Sequence, residues 1–288
     1  MTILVLGAGG QIGRALVERA EGAALGLDRM ACDISDPDSV ARAMASSNPS
    51  VVVNCAGYTA VDRAESERDH AFAVNAKGVE IVARETAMRG VPVIHLSTDY
   101  VYAGAGEQPH REDDPIAPVN VYGVSKAAGD AALAAINGKR IVLRVSWVFG
   151  VHGANFVKTI VRLGRERPEL RIIDDQIGGP TEARDIADAI LIIVAICRGR
   201  GFDAWGIYHF SGAPSTSWYG FARAIFERAT APPPHLVPIA SREYPAVAKR
   251  PMNSILDCEK IRGVFGIKQP DWRIALSRVM SVIDGVKV

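Results

Sequence analysis

The sequence predicts an α/β protein with a doubly wound parallel sheet, followed by a smaller and less regular C-terminal α/β region. Short β-branched runs alternate with longer segments of helical spacing from the N-terminus to about residue 150, which is typical of a parallel sheet covered by helices on both faces. A glycine-rich turn joins the first run to the first helical segment. Prolines then become frequent between Pro180 and Pro251, and they interrupt regular elements in the C-terminal part.

Six short apolar runs predict the strands of the sheet, and helical spacing predicts the helices around them. The strands are Ile3–Leu6, Ala24–Leu27, Val51–Asn54, Val91–Leu96, Arg140–Val145 and Gly206–Phe210. The helices are expected over residues 11–20, 39–46, 68–89, 122–136, 181–197, 217–228 and 271–283. We expect one domain over residues 1–150 and a second region mainly over residues 151–288. The helix at 181–197 is expected to pack back on the sheet, which makes the second region discontinuous in sequence.

Composition and charge exclude several classes of protein. The 288 residues carry 33 Lys and Arg against 32 Asp and Glu, a formal net charge of +1, and this provides no general attraction to nucleic acid or to a membrane surface. The strongest apolar run, Ala189–Cys197, is far shorter than the roughly 20 residues that cross a bilayer. The N-terminal apolar run has no basic segment before it and indicates a first strand rather than a signal peptide. We therefore expect a cytoplasmic protein without nucleic-acid or membrane partners.

The glycine-rich turn predicts a binding site for a dinucleotide. Gly7, Gly10 and Gly13 follow the first strand and open the first helix, which is the context that such a site requires. Gly7 allows a tight turn, Gly10 allows close approach to a pyrophosphate, and Gly13 lets the helix pack near the strand. The N–H groups of the first helical turn, which includes Gln11 and Ile12, then face the anion. The first domain is therefore predicted to bind NAD(P) in a Rossmann-type fold.

Two further strand ends complete the predicted cofactor site. Asp28, about 20 residues after the turn, can accept hydrogen bonds from the adenosine ribose, which favours NADH. Arg29 beside it can pair with a 2′-phosphate, so NADPH and NADH both stay open. Asp33 and Ile34 are expected near the adenine. The end of the third strand is expected to contact the central part of the cofactor through Cys55, Ala56, Gly57, Tyr58 and Thr59.

A tyrosine and a lysine four residues apart predict acid catalysis. Tyr122 and Lys126 lie in a predicted helix, so the spacing places the phenol and the ammonium one turn apart on one face. The ammonium, together with the positive ring of an oxidised nicotinamide, is expected to lower the pKa of the phenol. Thr98 follows the fourth strand at the same edge of the sheet. Its hydroxyl is a candidate to bind a substrate carbonyl oxygen while Tyr122 donates a proton.

The chain also carries six characteristic segments in order, which are Val52–Asp62, Ser97–Tyr102, Asn120–Lys126, Arg144–Val148, Asp175–Thr181 and Arg250–Ser254. With these segments it resembles the extended short-chain dehydrogenase/reductase superfamily over nearly its whole length, and within it the dTDP-4-dehydrorhamnose reductase family. The resemblance implies that NAD(P)H reduces the C4 keto group of dTDP-6-deoxy-L-lyxo-4-hexulose to give dTDP-L-rhamnose. It also implies that Thr98, Tyr122 and Lys126 are the catalytic residues and that a dTDP-linked keto-sugar is the substrate.

The resemblance further implies a set of side chains on the sugar-nucleotide side of the cleft. These are Tyr100, Trp147, Asn155, Gln176, Arg250 and Asn253. Residue chemistry agrees for two of them, since Trp147 offers a stacking face and Arg250 offers a planar fork for a diphosphate. Residues 151–288 are therefore expected to bind the substrate for the most part.

No metal site is expected. Some relatives dimerise through glutamates that bind a divalent metal, and the corresponding positions here look like Ala15 and Arg184, neither of which is an oxygen ligand. The six histidines form no ligand-like cluster in the sequence, His95 is expected to be a core residue, and the four cysteines are isolated. A monomer or a homodimer is expected.

Two other functions stay open at this point. A reductase or an epimerase of another nucleotide-linked deoxy-sugar uses the same Tyr and Lys pair, and net consumption of NAD(P)H separates a reductase from an epimerase. A non-catalytic, nucleotide-binding regulatory subunit is an alternative from a different class. The presence of Thr98, Tyr122 and Lys126 together argues against that alternative.

Overall fold

The computed structural model describes residues 2–199 and 201–284. The strands are β1 (Ile3–Leu6), β2 (Ala24–Leu27), β3 (Val51–Asn54), β4 (Val93–Thr98), β5 (Arg140–Val145), β6 (Val148–Phe149), β7 (Glu169–Ile173), β8 (Ile177–Gly178), β9 (Thr181–Glu182), β10 (Gly206–Phe210), β11 (Thr216–Ser217), β12 (His235–Ile239) and β13 (Asn253–Ser254). The α-helices are α1 (Gln11–Arg19), α2 (Pro37–Ser47), α3 (Val61–Ala64), α4 (Arg68–Phe72), α5 (Val79–Met88), α6 (Val121–Ile136), α7 (Phe156–Glu166), α8 (Ala183–Cys197), α9 (Trp218–Phe226), α10 (Glu259–Phe265) and α11 (Trp272–Ile283). A π-helical turn spans Ala73–Gly78, and 3-10 turns span Asp99–Val101 and Ser241–Glu243.

Six parallel strands form the main sheet in the order β2-β1-β3-β4-β5-β10. The chain moves from β1 to β2 on one side and then from β3 through β5 on the other, so the winding reverses between β1 and β3. The last residues of these two strands, Leu6 and Asn54, are neighbours in the register. In open α/β sheets the ligand binds in the crevice at this reversal. The predicted Rossmann-type fold is confirmed, and the glycine-rich turn begins at the crevice.

Two of the predicted elements differ clearly from the structure, and α7, α10, β7 and β12 were not predicted. β4 begins at Val93 rather than Val91, because the N–H of Val91 donates to the carbonyl oxygen of Thr86 (2.9 Å) and closes the preceding helix. The single helix expected over residues 68–89 is divided into α4, the π-helical turn and α5. Asn75 lies in that turn, is buried, and bonds to groups outside the helix. Single π turns occur frequently at functional sites.

Apolar helix surfaces cover both faces of the sheet. α8 packs against α1 and buries Ile186, Ile190 and Ile193 completely against one face. Removing each of these side chains from water contributes about 1.5–3 kcal/mol. α2 and α5 pack on the opposite face with Leu4 and Leu6, as the alternation of side chains along a strand requires. The division of the chain near residue 150 stays a prediction.

A second core lies beside the sheet and is built from α7, β7, α9 and α11 around Phe149, Phe221 and Trp272. Three small sheets, β12-β7, β11-β8-β13 and β6-β9, connect its helices. Phe156 and Trp218 from this core line a cleft together with the carboxyl edge of the main sheet. None of the helices within residues 2–199 and 201–284 has the length and apolarity needed to span a membrane.

Candidate active site

The glycine-rich turn leaves the N-terminus of α1 open for an anion. Gly7 has a φ of +77°, and a Cβ at this position would lie 2.5 Å from the nitrogen of Ala56. A Cβ at Gly13 would lie 2.4 Å from the carbonyl oxygen of Gly7. α1 has no side-chain cap and no acidic residue in its first turn, so its unpaired N–H groups and the positive end of its dipole face the crevice. This backbone cradle fits the pyrophosphate of a dinucleotide.

A cavity of about 250 Å³ extends from this cradle toward β2. It is lined by Gly7, Gly9, Gly10, Arg29, Cys32, Asp33, Ile34, Cys55, Ala56, Gly57, Tyr58, His70 and Val74, so most of the predicted cofactor residues share it. Asp28 is not in the lining. Its carboxylate accepts hydrogen bonds from the N–H groups of Met30 and Ala31, each 3.0 Å long. The cavity wall therefore includes Arg29, whose guanidinium lies 3.6 Å from the carboxylate of Asp33, and does not include Asp28.

Asn75 shapes this cavity, and the sequence analysis did not find it. Its Oδ1 accepts a hydrogen bond from the N–H of Tyr58 (2.8 Å), and its Nδ2 donates to the carbonyl oxygen of Tyr58 (2.9 Å) and to Oγ of Ser125 (3.0 Å). The amide thereby holds the loop after β3 against α6. The sequence did contain a signal for a special role of Asn75. Asn is disfavoured inside a helix, and this one lies in an Ala-rich helical segment.

A larger cavity of about 700 Å³ adjoins the first and contains the three predicted catalytic residues. Thr98, Tyr122 and Lys126 all line it, together with Gln11, Ile12 and Thr59 of the predicted cofactor site. Asn120 caps α6 by accepting a hydrogen bond from the N–H of Gly123 (2.7 Å), and this fixes where the helix begins. The sequence-based grouping of these residues at one edge of the sheet therefore agrees with the geometry.

Lys126 is buried and points at the end of β4. Its Nζ donates to the carbonyl oxygen of Leu96 (2.6 Å) and lies 3.3 Å from Nε2 of His95. Burial lowers the pKa of Lys126 to about 8, while the carboxylate of Asp130 acts in the opposite direction. His95 is fully buried, as expected. Its contact with Lys126 was not predicted, because the two residues meet only when α6 packs on the sheet.

The lowered phenol pKa predicted for Tyr122 requires a bound oxidised nicotinamide and stays a prediction, whereas in the protein alone the pKa of this phenol is raised. Burial raises the pKa of Tyr122 well above its ordinary value, and the carboxylates of Asp99 and Asp130 raise it further, while a hydrogen bond with Thr98 acts in the opposite direction. Lys126 bonds to β4 rather than to the phenol. Tyr122 is therefore fully protonated at neutral pH, which suits a proton donor.

The wall opposite the catalytic residues is aromatic. Trp147 has a left-handed backbone with a φ of +45° and stacks on Trp218, with ring centroids 3.5 Å apart and planes 6° apart. A Cβ at Gly178 would lie 2.5 Å from the Trp147 ring. This close approach explains the first glycine of the segment 175–181. Trp147 lines the cleft as predicted, whereas Trp218 and Phe156 were not predicted to do so.

Four of the predicted substrate residues do not line the cleft, namely Asn155, Gln176, Arg250 and Asn253. Asn155 caps α7 through the N–H of Lys158 (3.1 Å) and donates to Oε1 of Gln11 (3.0 Å). Asn253 accepts from the N–H of Ile255 (2.9 Å) and donates to the carbonyl oxygen of Gln108 (2.8 Å). Gln176 is buried ahead of β8. The side chains of Asn155 and Asn253 hold backbone segments in place and do not face the cavity.

Arg250 is also paired rather than directed into the cavity. Its guanidinium makes two hydrogen bonds to the carboxylate of Asp62, 3.1 and 2.7 Å long, and the N–H of Ala248 donates to the same carboxylate (3.1 Å). Arg250 lowers the pKa of Asp62 through these bonds. The charge of Arg250 also acts on Tyr100, which lines the cleft as predicted. The pair therefore fastens the C-terminal segment to α3 beside the cleft.

The crevice at the sheet reversal, the open helix N-terminus and the buried Tyr and Lys pair define a nicotinamide-dependent oxidoreductase of the extended short-chain dehydrogenase/reductase class. The family model described as the RmlD substrate binding domain matches residues 1–284. The chain belongs to this family. Within residues 2–199 and 201–284, no group of three or more His, Cys, Asp or Glu side chains is placed to hold a metal ion.

Relatives cover the chain from end to end. A dTDP-4-dehydrorhamnose reductase of Aggregatibacter actinomycetemcomitans is 42% identical over 291 residues and covers 98% of this chain and 99% of its own length. The structure of a dTDP-4-dehydrorhamnose reductase from Clostridium acetobutylicum superimposes with a TM-score of 0.92 at 32% identity, over 98% of this chain and 99% of the other. That of a dTDP-4-dehydrorhamnose reductase from Bacillus anthracis in complex with NADP superimposes with a TM-score of 0.89 at 35% identity, over 97% and 98%. The predicted family is confirmed.

Proposed function

We propose that this protein reduces the C4 keto group of dTDP-6-deoxy-L-lyxo-4-hexulose (dTDP-4-dehydrorhamnose) to give dTDP-L-rhamnose, with NADPH or NADH as the reductant. The observation that carries the proposal is that Thr98, Tyr122 and Lys126 share one cleft with the open N-terminus of α1. Relatives that are 38–42% identical and named dTDP-4-dehydrorhamnose reductase support the substrate. The reaction consumes one NAD(P)H and one proton for each keto-sugar reduced.

The residues of the cleft have distinct roles in this proposal. A bound nicotinamide supplies the hydride. Tyr122 donates its phenolic proton to the carbonyl oxygen, and its raised pKa keeps the proton on the phenol until negative charge develops on that oxygen. Thr98 binds the same oxygen through its hydroxyl. Lys126, held by Leu96 and His95, supplies positive charge to the cleft and can pass on a proton, since its pKa of about 8 lies near neutrality.

The adenosine end of the cofactor site favours NADPH. Arg29 lines the cavity there, and a guanidinium can pair with a 2′-phosphate. Asp28, which would bind the ribose hydroxyls of NADH, is bonded to its own turn. The Bacillus anthracis relative was solved in complex with NADP, in line with this preference. We propose that NADPH binds more tightly than NADH and that both serve as reductants.

On the substrate side, we propose that Tyr100 and Trp147 face the sugar, with Trp218 stacked on Trp147 in the same wall of the cleft. A deoxy-sugar presents a C–H-rich face and a methyl group, and both pack well on aromatic rings. The roles of Asn155, Arg250 and Asn253 in this proposal are to hold the segments that carry the cleft. A cytoplasmic location and a monomer or homodimer stay predictions.

The decisive experiment follows the absorbance of the reduced nicotinamide with purified protein, both cofactors, and a panel of nucleotide-linked keto-sugars. We expect oxidation of NADPH or NADH with the dTDP-linked 6-deoxy-4-keto-sugar, in a one-to-one ratio with the product alcohol. Conversion of a sugar without net oxidation of the cofactor would instead indicate an epimerase. Cofactor binding without turnover of any sugar would indicate the regulatory role.

A further inference from the structure

Asp99 is a buried carboxylate beside the hydroxyl proposed to bind the substrate carbonyl. Asp99 is 3% exposed and is the first residue of the 3-10 turn that follows β4. Its carboxylate accepts hydrogen bonds from the hydroxyls of Thr98 (2.9 Å) and Ser146 (3.2 Å). Among residues 2–199 and 201–284, no nitrogen of Lys, Arg or His lies within 4.0 Å of it. A buried carboxylate without a cationic partner favours its neutral, protonated form.

The Thr98 hydroxyl has one hydrogen to donate, and its hydrogen-bond partners are the N–H of Tyr100, the carboxylate of Asp99 and the phenol of Tyr122. Oγ1 of Thr98 accepts a hydrogen bond from the N–H of Tyr100 (3.1 Å) and donates its own hydrogen to Oδ1 of Asp99. A hydroxyl offers a single donor. While Asp99 is ionised, it holds that hydrogen by a charge-assisted bond, and a carbonyl oxygen in the cleft receives no hydrogen bond from Thr98.

We infer that Asp99 is a positioning residue whose proton decides the direction of the Thr98 hydroxyl, and that its neutral form is the one that supports reduction. A neutral Asp99 carries an O–H that donates to Oγ1 of Thr98. The hydrogen of Thr98 is then released to the carbonyl oxygen of the keto-sugar. The inference rests on the proposed function, because it needs a substrate oxygen bound at Thr98.

The environment of Asp99 places this change near neutrality. Burial raises the pKa of Asp99 to about 6, while hydrogen bonds from Ser254, Thr98 and Ser146 hold it from rising further. The titratable groups that interact with Asp99 are Tyr100 on the same turn and Tyr122 on α6. Asp99 is neutral below this pKa and ionised above it. The rate of reduction is therefore expected to fall as the pH rises through about 6.

The test is the pH profile of kcat at saturating keto-sugar and NADPH for the natural protein and for Asp99→Asn. The natural protein should lose activity about tenfold for each pH unit above the pKa of Asp99. Asp99→Asn cannot ionise, so this fall should disappear, and the later fall from Lys126, whose pKa is about 8, should remain. Asp113→Asn removes an exposed carboxylate (82% exposed) outside the cleft and should keep the natural profile.

A second measurement does not depend on turnover. Carbon-13 NMR of the aspartate carboxyl groups in the protein alone should show one group that titrates near the pKa of about 6 and is missing in Asp99→Asn. If Asp99→Asn fails to fold, Ser146→Ala serves instead. It removes one donor to Asp99 and should move the fall in kcat about half a unit to one unit toward higher pH.

The two proposals fail separately. If the natural protein oxidises neither cofactor with any keto-sugar, the proposed function is wrong. If the natural protein is active, and Asp99→Asn or Ser146→Ala leaves the midpoint of the profile unchanged, Asp99 has no part in directing Thr98. Absence of the titrating carboxyl resonance would overturn the inference as well.

Discussion

The two halves of the cleft are built in different ways. The cofactor half is mainly backbone, in which Gly7 and Gly13 allow chain segments to approach so closely that a Cβ would collide with main-chain atoms. The substrate half is mainly side chains, such as the stacked Trp147 and Trp218 and the fork of Arg250 on Asp62. A site made of backbone depends on the absence of side chains at particular positions. A site made of side chains depends on pairs that are distant in sequence.

The contrast between the two halves predicts where a substitution acts. In the cofactor half, even a methyl group has no space, so small changes should affect cofactor affinity and stability together. In the substrate half, each pair connects two segments, so loss of one partner should mainly loosen the connection. Thr98, Tyr122 and Lys126 lie where the halves meet, and the largest effects are expected there.

The largest effect is expected for Tyr122→Phe, which keeps the ring and removes the proton donor. kcat should fall about 10²–10⁴-fold, while the dissociation constant for NADPH should change little, because the phenol acts in the transition state. Steady-state kinetics and fluorescence titration with NADPH measure the two quantities. Tyr244→Phe, at an exposed ring (49% exposed), is the matched control. If Tyr122→Phe had the same kcat as the wild-type protein, Tyr122 would not be the proton donor.

The next largest effect is expected for Gly13→Ala, which tests the cofactor half. The new Cβ would lie 2.4 Å from Gly7 O and 2.8 Å from Cα of Ala8, so the main chain must move. We expect unfolding free energy to fall by about 1–3 kcal/mol and NADPH affinity to fall at least about tenfold, as measured by urea unfolding and by fluorescence titration. The control, Gly263→Ala, adds a Cβ to α10 with no atom within 4 Å and should gain about 0.5–1 kcal/mol. If Gly13→Ala and Gly263→Ala had the same unfolding free energy and the same NADPH affinity, the cofactor would not bind at the backbone cradle.

A smaller effect is expected for Asn155→Ala at the contact between the halves. The change removes the cap of α7 and the hydrogen bond to Gln11. Loss of such a cap costs about 1 kcal/mol, seen as a lower unfolding midpoint in urea, and kcat should stay within about twofold of its natural value because Asn155 does not line the cleft. Asn155→Asp keeps the capping oxygen but loses the donor to Gln11 and to the carbonyl oxygen of Gly150, so it should recover only part of the stability. A large fall in kcat with unchanged stability would instead indicate that Asn155 binds the substrate, as the sequence analysis predicted.

The smallest effect is expected for the pair of Arg250 and Asp62. A double-mutant cycle with Arg250→Lys and Asp62→Asn should give a coupling energy of about 0.5–1 kcal/mol in urea unfolding, since Asp62 is 46% exposed and solvent screens the pair. The pKa of Asp62 is lower in the folded protein than in the unfolded chain. The stabilisation from the pair is therefore complete at pH values above the pKa of Asp62 in the unfolded chain, and it is lost as the pH falls through the pKa of Asp62 in the folded protein. No coupling at neutral pH would show that the pair does not fasten the segment.

Much of the cofactor half could be predicted from sequence because its signals are local. A strand of buried residues, Ile3–Leu6, runs directly into a glycine turn and a helix, and each of these is readable within a few neighbouring positions. The Tyr122 and Lys126 spacing is local in the same way. The single helix expected over 68–89 was wrong, because the side chain of Asn75 bonds to Tyr58 and Ser125 instead of staying neutral in a helix.

The substrate half was harder to predict for a physical reason. The amide of Asn155 and the guanidinium of Arg250 have several suitable partners in any protein, and their sequence neighbours do not indicate which one is taken. Their observed partners, Gln11 and Asp62, lie far away in the chain. Trp218 was missed on the same grounds, since a Trp at a helix start gives no sign that it stacks on Trp147.

The α/β fold class, the glycine turn and the order of the catalytic residues could be predicted from local patterns, because steric limits on the backbone and the periodicity of apolar residues act over short distances. Which polar side chains face the cleft and which hold its walls depends on the packing of distant segments. Packing also directs Lys126 to β4 and places Asp99 where it accepts a hydrogen bond from Thr98. Such pairings depend on distances between residues that only packing brings together.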